Sequence, residues 1–543
     1  MQTDSVVKEK PVAKNVAPPP AQPASATPKP DAPDLRPTAN IKYDLPAGLV
    51  VFLVALPLCL GIALASNAPL FSGVIAGIVG GLVVPFISGS PLSVSGPAAG
   101  LAAIVSMGIA QVGGFPQFLA AVLLGGVIQI LLGAFRLGAV AYFIPSSVIK
   151  GMLTAIGLLL IFKQLPHAIG YDVDNFASVK FKAADGNTFS VLLDSVKTME
   201  WGAFLISAVS LVILAGWEHT PLKKISFLPS ALVAVVVGSL INEGLVSSGS
   251  ALALGSTHLV DLPPMDGVGG FVAQLQMPQW SAFTNPQVWV MGLTLGIVAS
   301  LETLLSIEAV DKLDPFHRKS PLNRELLAQG AANATSGLIG GLPITAVIVR
   351  SSANVNAGAR TQASAIFHGV FLFLAVVFAG SLLVHIPLAC LASILLMTGY
   401  KLAKPAMFRA MFQLGWGQFI PFMATIVAIV FTDLLRGIGV GLVVGLAFVI
   451  RANIRDAFTV KKHGSSYLIL LRKDVFFYNK AVLIQALERI PSGASVIVDG
   501  GSTEFIDMDI YEAVLAFKAG AAARNINVEL RLRAPGVMAP AAH

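Results

Sequence analysis

Charge is what this sequence has least of. Only 12% of its 543 residues are Asp, Glu, Lys or Arg, whereas a soluble domain carries about 25%. With 55% hydrophobic residues and a positive mean hydropathy, the chain has too few polar groups to cover a water-facing surface, so an ordinary soluble protein is excluded. Cysteine is almost absent. Cys59 and Cys390 are the two, both inside apolar runs, so neither a disulfide framework nor a paired-cysteine metal site is available; both are expected to be core thiols. A catalytic His/Cys cluster, zinc spacing such as HExxH and a phosphate-cradling loop are also missing, so the chain is not expected to be an enzyme. Large apolar side chains are scarce from Val12 to Thr38, a Pro/Ala/Lys-rich stretch without the apolar core of a signal peptide; residues 1–41 therefore read as a disordered tail. The formal charge of +7 is scattered over short loops rather than gathered on one face, which argues against a nucleic-acid partner.

What is abundant is long apolar runs and glycine. A helix needs about 20 apolar residues to cross the hydrocarbon core of a bilayer, and windows of that length yield fourteen candidates. In the first half they are Gly48–Ser66, Leu70–Ser88, Ser95–Val112, Phe118–Phe135, Tyr142–Phe162, Trp201–Gly216 and Phe227–Ile241. In the second half they are Val288–Ile307, Leu326–Leu342, Arg350–Gln362, Ala363–Val384, Pro387–Lys401, Phe419–Leu435 and Gly437–Ile450. The third and tenth are polar-led and weak as spans. The 51 glycines fit helices that pack closely in lipid, where small residues favour contact. The expected fold class is an α-helical polytopic membrane protein occupying residues 42–455.

Sidedness follows from the cations, because cytoplasmic loops carry the Lys/Arg excess. Loops after even-numbered spans hold Arg136, then Lys223 and Lys224, then Lys312, Arg318, Lys319 and Arg324, then Lys401, Lys404 and Arg409. The stretch from Glu243 to Gln287, after the seventh span, has none. Both termini are therefore expected in the cytoplasm of a cell whose inner membrane holds the protein. From residue 456 to 535 the pattern changes to an alternating run (Tyr467–Leu471), an amphipathic helix (Asn479–Arg489), a buried-strand run (Ser495–Val498), a second helix (Tyr511–Ala522) and a third strand (Asn527–Leu532). Such alternation predicts a small α/β domain, followed by a disordered end at 536–543.

The run Gly77-Ile78-Val79-Gly80-Gly81-Leu82 in the second span nearly repeats as Gly337-Leu338-Ile339-Gly340-Gly341-Leu342 in the ninth. Each copy precedes a polar-led segment, Ser90-Pro91-Leu92-Ser93-Val94-Ser95-Gly96-Pro97 and Pro343 to Ser352, which read as short extended runs leading into helix starts. Non-helical backbone at membrane depth is tolerated only where protein or a watery cavity satisfies it, and paired broken helices in two halves of a chain point to a transporter site whose helix N-termini face an anion. Seven spans per half, an odd number, make the repeat inverted.

Ionisable groups inside the membrane are costly and mark function. Arg350 begins the tenth segment; an interfacial arginine that snorkels is the plainer alternative. Glu302 lies within the eighth span, with Ser306 on its helix face at i+4. Three roles are open to Glu302: proton carrier, cation ligand, or a partner neutralising Arg350. Glu308 and Asp311 are expected at a loop edge and His385 at the outer interface in a structural role. Asn333 and Asn354 are expected to pack, with bonding across helices or lining the path as the alternatives.

Taken together, Tyr43-Asp44-Leu45-Pro46-Ala47-Gly48 with Leu56-Pro57, then Ser95-Gly96-Pro97, Asn323 to Gly330 with Asn333 and Ser336-Gly337, and Ala357-Gly358-Ala359-Arg360-Thr361-Gln362 resemble the sulfate permease (SulP) family over about residues 42–535. The resemblance implies fourteen spans in two inverted seven-span repeats forming core and gate domains, a homodimer, and a cytoplasmic STAS domain. It also implies a substrate site of Ile62, Ser95, Gly96, Pro97, Ala98, Val349, Arg350 and Ser351, with Arg350 on the family's anion-site arginine. Val349 stands where vertebrate members often have Ser, and Ile62 where an aromatic commonly faces the anion. Glu302 and Ser306 match eighth-span positions that are an Asp and a Thr holding the cation in sodium-coupled bicarbonate members. The tail resembles STAS through Ser495-Val496-Ile497-Val498-Asp499 and Phe505-Ile506-Asp507-Met508. Met508 occupies the place of a phosphorylated Ser or Thr in anti-sigma-factor antagonists, so that switch is absent and the tail reads as an assembly or regulatory unit. The expected activity is secondary active transport of a small inorganic anion such as sulfate or bicarbonate, by alternating access. No cofactor is expected, and sodium or a proton would be the coupling ion. An exchanger or channel without cation coupling, for chloride, bicarbonate or dicarboxylates, is the alternative.

Overall fold

The structure, a computed structural model, describes residues 37–139, 145–171, 197, 199–217, 220, 229–262, 267–432, 434–456, 458–471, 474–501, 503 and 505–532. Of the expected tail at 1–41, residues 1–36 lie outside them, whereas Pro37–Asn40 is a 3-10 turn and Ile41 opens the first helix; the end at 536–543 and the loop pair Lys223 and Lys224 also lie outside. A helix stands at each of the fourteen expected spans. The first seven are Ile41–Ala65, Leu70–Leu82, Ala102–Val112, Phe115–Ala134, Ser146–Ala168, Trp201–Trp217 and Ser230–Ser247. The second seven are Pro286–Leu313, Leu322–Ile339, Ile348–Asn356, Ala363–Leu383, Leu388–Leu402, Trp416–Phe431 and Leu434–Asp456. Proline sets many of the starts. Pro69, Pro145, Pro229, Pro321 and Pro387 occupy N-cap positions and Pro286 the first turn, where a missing N–H costs no helical bond.

Several boundaries differ from expectation for physical reasons. The second span breaks at Leu82 into a short turn, Val84–Ile87, instead of running to Ser88. The ninth stops at Ile339 because Gly340 takes φ +93°, a left-handed conformation that glycine adopts without strain. The Gly runs of the two halves therefore do different work, since Gly80 and Gly81 stay helical and admit the backbone of Ser95 and Gly369. The tenth helix covers Ile348–Asn356 rather than Arg350–Gln362, and the fifth runs six residues past Phe162. Helices Gly267–Ala273 and Pro405–Gln413 had no counterpart in the expected spans.

The inverted repeat is visible in the packing. The first span packs on the eleventh as the eighth does on the fourth; the second on the eleventh as the ninth on the fourth; the sixth on the twelfth as the thirteenth on the fifth. Adding seven to each span number, counted round the fourteen, converts one pair into the other. Spans one to four with eight to eleven form one group, and five to seven with twelve to fourteen the other. Strands β1 (Ser95–Pro97) and β2 (Ile344–Ala346) pair antiparallel, with Gly96 opposite Thr345 at the centre. Antiparallel pairing of equivalent segments is what an inverted repeat requires.

These strands lie among buried helices, so their backbone polar groups need protein partners. The partners are buried polar side chains. Glu325 Oε1 accepts from Ser88 Oγ and from the N–H groups of Gly89 and Ser90 at 2.6–2.9 Å. The Gln362 amide donates to the carbonyls of Ser88 and Ser90, Asn354 donates to Leu92 O, and Gln329 donates to Ser95 Oγ at 2.6 Å. Asn333 acts as a third strand, accepting from Ile344 N–H at 2.6 Å and donating to Ile344 O at 2.8 Å. Asp44 accepts from the N–H groups of Arg360 and Thr361 and from the Thr361 hydroxyl. Asn333 and Asn354, expected merely to pack, thus bond across elements. Asn333→Leu leaves both polar groups of Ile344 buried and unmatched, at about 1–3 kcal/mol each; a thermal unfolding midpoint lower by several degrees in detergent is the expected result, and an unchanged midpoint would show that β2 is held by other contacts.

The C-terminal unit is a four-stranded sheet in the order β3 (Phe458–His463), β4 (Ser466–Leu471), β5 (Ser495–Asp499), β6 (Asn527–Arg531). β3 and β4 form an antiparallel hairpin, whereas β4–β5 and β5–β6 are parallel and are connected through helices Lys480–Glu488 and Met508–Ala521. Ile469, Leu471, Leu483, Val496, Val498, Ile510 and Val514 form its core. β3 is a strand beyond the three expected. Met508 is the first residue of its helix and is 55% exposed.

Candidate functional site

The β1–β2 crossing sets two helix starts side by side. A 3-10 turn, Ala99–Leu101, leads from β1 into the third-span helix, and β2 leads through Val347 into the tenth. Each start leaves unpaired N–H groups and a partial positive charge of roughly +0.5. A cavity of about 80 Å³ lies at this point. Leu58 and Ile62 of the first span, Ala99 and Gly100, Glu302, Leu305 and Ser306 of the eighth, and Ala346 to Arg350 form one wall. Leu153 and Ile156 of the fifth span with Thr398 and Leu402 of the twelfth form the other. The cavity therefore sits on the seam between the two groups of spans.

Arg350 is fully buried, in the first turn of the tenth helix. Its Nη2 donates to Cys59 Sγ at 3.3 Å, while Nε and Nη1 have no partner. The guanidinium lies against Gly96, where a Cβ would collide with Nη1; only glycine leaves it room. Glu302 is placed in the same way against the third helix, with Oε1 2.6 Å from where a Cβ on Gly100 would be and Oε2 unpartnered. One turn on, Ser306 lines the same cavity, and Thr303 Oγ1 accepts from Ala346 N–H at 3.3 Å. Two helix starts and one guanidinium add up to roughly +2; with Glu302 ionised the sum is roughly +1. The remaining walls are apolar apart from Ser306 and Thr398, so a small solute there exchanges water for few but strongly charged partners.

The structure thus brings Ile62, Val349, Arg350, Glu302 and Ser306 to one cavity. It does not bring Ser95, Gly96, Pro97, Ala98 or Ser351 to its wall. Ser95, Gly96 and Pro97 are committed to the β1–β2 ladder, and the Ser95 hydroxyl is engaged by Gln329. Ala98 is buried ahead of the turn, and Ala99 and Gly100 reach the cavity in its place. Ser351 Oγ accepts from Val94 N–H and donates to Val347 O. Glu308 pairs with Lys312 at 2.7 Å on an exposed face, Asp311 is bound by the N–H and hydroxyl of Ser320, and His385 is exposed, 3.7 Å from Glu243.

Sequence reasoning missed Cys59, which touches the guanidinium and is more than a core thiol, and the fifth- and twelfth-span residues of the facing wall. It also missed His368 of the eleventh span, completely buried with neither ring nitrogen bonded. No local signal marks these positions, because each acquires its neighbour through contacts hundreds of residues apart.

The sequence profile of the Sulfate permease family matches residues 41–425. The protein YvdB of Bacillus subtilis is 27% identical over 80% of this chain and 78% of its own length. The bicarbonate transporter BicA of Picosynechococcus is 25% identical over 75% of this chain and 69% of its own. Among solved structures, the murine Slc26a9 anion transporter in the inward-facing state superposes with a TM-score of 0.71 at 17% identity, over 91% of this chain and 86% of that one. That last likeness is one of fold.

Proposed function

The chain belongs to the sulfate permease family, and from that premise we propose that it is a secondary active transporter of small inorganic anions of the sulfate or bicarbonate class. One observation carries the reading. At the seam between the two groups of spans, two helix N-termini and Arg350, whose buried guanidinium lies beside Gly96 and Cys59 with Nε and Nη1 unpartnered, meet at a cavity with Glu302 on its wall. An anion there would satisfy the free Arg350 donors and the N–H groups of the helix starts, contacts that are strong where water is excluded.

The two-sided wall supports alternating access. If spans one to four with eight to eleven, the core group, shift against spans five to seven with twelve to fourteen, the gate group, the cavity loses Leu153, Ile156, Thr398 and Leu402 from its side and opens to one compartment or the other, while Ile62, Arg350 and Glu302 travel with the anion. Glu302 is the coupling group. When it takes up a proton or a cation the local charge rises from roughly +1 to roughly +2, so cation and anion each favour the other's binding, a reciprocity that linkage requires. Ser306 would add an oxygen ligand if the coupling ion is sodium. The protein is placed in the inner membrane with both termini in the cytoplasm, on the strength of the Lys/Arg distribution, and the pairing of two copies as a homodimer rests on the family likeness.

Purified protein in liposomes decides the matter. Labelled sulfate and bicarbonate should enter saturably and accumulate when a sodium or proton gradient is imposed. Uptake that needs only a counter-anion inside would make it an exchanger, a non-saturating linear current would make it a channel, and movement of neither anion under any gradient would refute the proposal.

A further inference from the structure

Lys163 lies within the fifth-span helix, Ser146–Ala168, one turn and a half from its end. It is half-buried. Among the described residues no acidic side chain pairs with it, an arrangement that membrane proteins avoid unless the cation has work to do. At about 100° per residue, Lys163 falls within roughly 20° of Ile156, seven positions before it, about 60° from Leu160 and about 80° from Leu153. Leu153 and Ile156 are cavity wall, and Leu160 is buried. Leu165, 42% exposed, is two residues on and so about 200° round the helix, which turns Lys163 away from lipid. The next residue, Gln164, is fully exposed to neither lipid nor water: its relative exposure is 0%, and neither its amide nitrogen nor its amide oxygen has a partner.

We propose that Lys163 and Gln164 form a second anion station on the gate wall, about 10 Å beyond the cavity toward the side opposite the Arg- and Lys-rich loops. The stripe that lines the cavity continues outward through Leu160 and ends on this cation and amide. An unmatched buried amide is unfavourable in the present arrangement and finds partners when the core group moves outward and a watery path reaches it. In that arrangement Lys163 attracts anions arriving from that side and Gln164 supplies an N–H donor, before the anion passes to Arg350. The inference deepens the transport reading and rests on it for the identity of the ligand.

Two measurements test it. In liposomes of known orientation, Lys163→Gln should raise the KM for sulfate or bicarbonate presented on that side about five- to tenfold, leave kcat and the KM from the opposite side within twofold, and flatten the dependence of uptake on ionic strength; Lys163→Arg should restore the KM. A KM unchanged from both sides, or raised equally from both, overturns the proposal. The second measurement does not need transport. Lys163→Cys should react with a membrane-impermeant thiol reagent added on the side opposite the basic loops, against the parent chain, whose two thiols are buried. Labelling from the other side only, or none, overturns it; labelling from the expected side in a protein that moves neither anion would instead remove the transport reading and leave a water-lined station.

Discussion

Arg350→Ala is expected to lower kcat/KM for every transported anion by about two to four orders of magnitude while the protein stays folded. The guanidinium has at least two donor groups without a partner, Nε and Nη1, and charge-assisted hydrogen bonds contribute about 1.5–3 kcal/mol each. Losing two of them amounts to about 3–6 kcal/mol, and each 1.4 kcal/mol is a factor of ten. Stability should move the other way or not at all, because a fully buried cation with a single sulfur contact is itself a burden on the fold. Arg350→Lys should fall between, since an ammonium keeps the charge but loses the planar fork. Concentration-dependent uptake in liposomes and a thermal unfolding curve on the same preparations are sufficient. Wild-type affinity in Arg350→Ala would remove this residue from the site, and a large drop in the unfolding midpoint would recast it as a structural support.

Much of the architecture was legible because lipid imposes a one-dimensional code of length and apolarity, and a helix stands at every span predicted from it. The misplaced ends lie where that code conflicts with backbone chemistry. Lys163 and Gln164 end an apolar window, yet hydrogen bonding carries the fifth helix on to Ala168. In the tenth segment the apolar letters of Ile344 to Val347 suggested a lead-in, and the pairing with β1 that makes part of it a strand depends on a partner some 250 positions away. β3 carries the run Lys461-Lys462-His463 and exposes most of its side chains, so it offers little alternation to read.

Intramembrane charge was a sufficient signal to single out Arg350 and Glu302, which line one cavity and whose types are rare and costly at that depth. The serine, glycine and proline of β1 were assigned to the substrate site by the family resemblance. In the structure these residues let two backbones cross. Gly96 yields space to the guanidinium, and the Ser95 hydroxyl takes a hydrogen bond from Gln329. Glu325, Gln329 and Gln362, quoted as parts of a family pattern, turn out to be the partners that make a non-helical crossing tolerable inside the membrane.

Glu302→Gln is expected to abolish accumulation driven by a cation gradient while anion exchange continues. The amide keeps the shape of the carboxyl group against Gly100 but cannot change the charge of the site, so the site stays at roughly +2 whichever way the cavity faces. A tenfold gradient of a singly coupled ion is worth about 1.4 kcal/mol and can sustain up to a tenfold excess of anion inside; without a coupling group that ratio should fall to about one. Anion affinity should hold or rise, because the negative charge nearest Arg350 on the cavity wall has gone. Accumulation ratios under imposed sodium and proton gradients, measured beside homo-exchange of the same labelled anion, separate these effects. Ser306→Ala distinguishes the ions: it should raise the sodium concentration needed for half-maximal uptake several-fold if sodium is bound there, and leave a proton-driven cycle unaltered. A Glu302→Gln protein that still concentrates its anion tenfold would place the coupling group elsewhere in the chain.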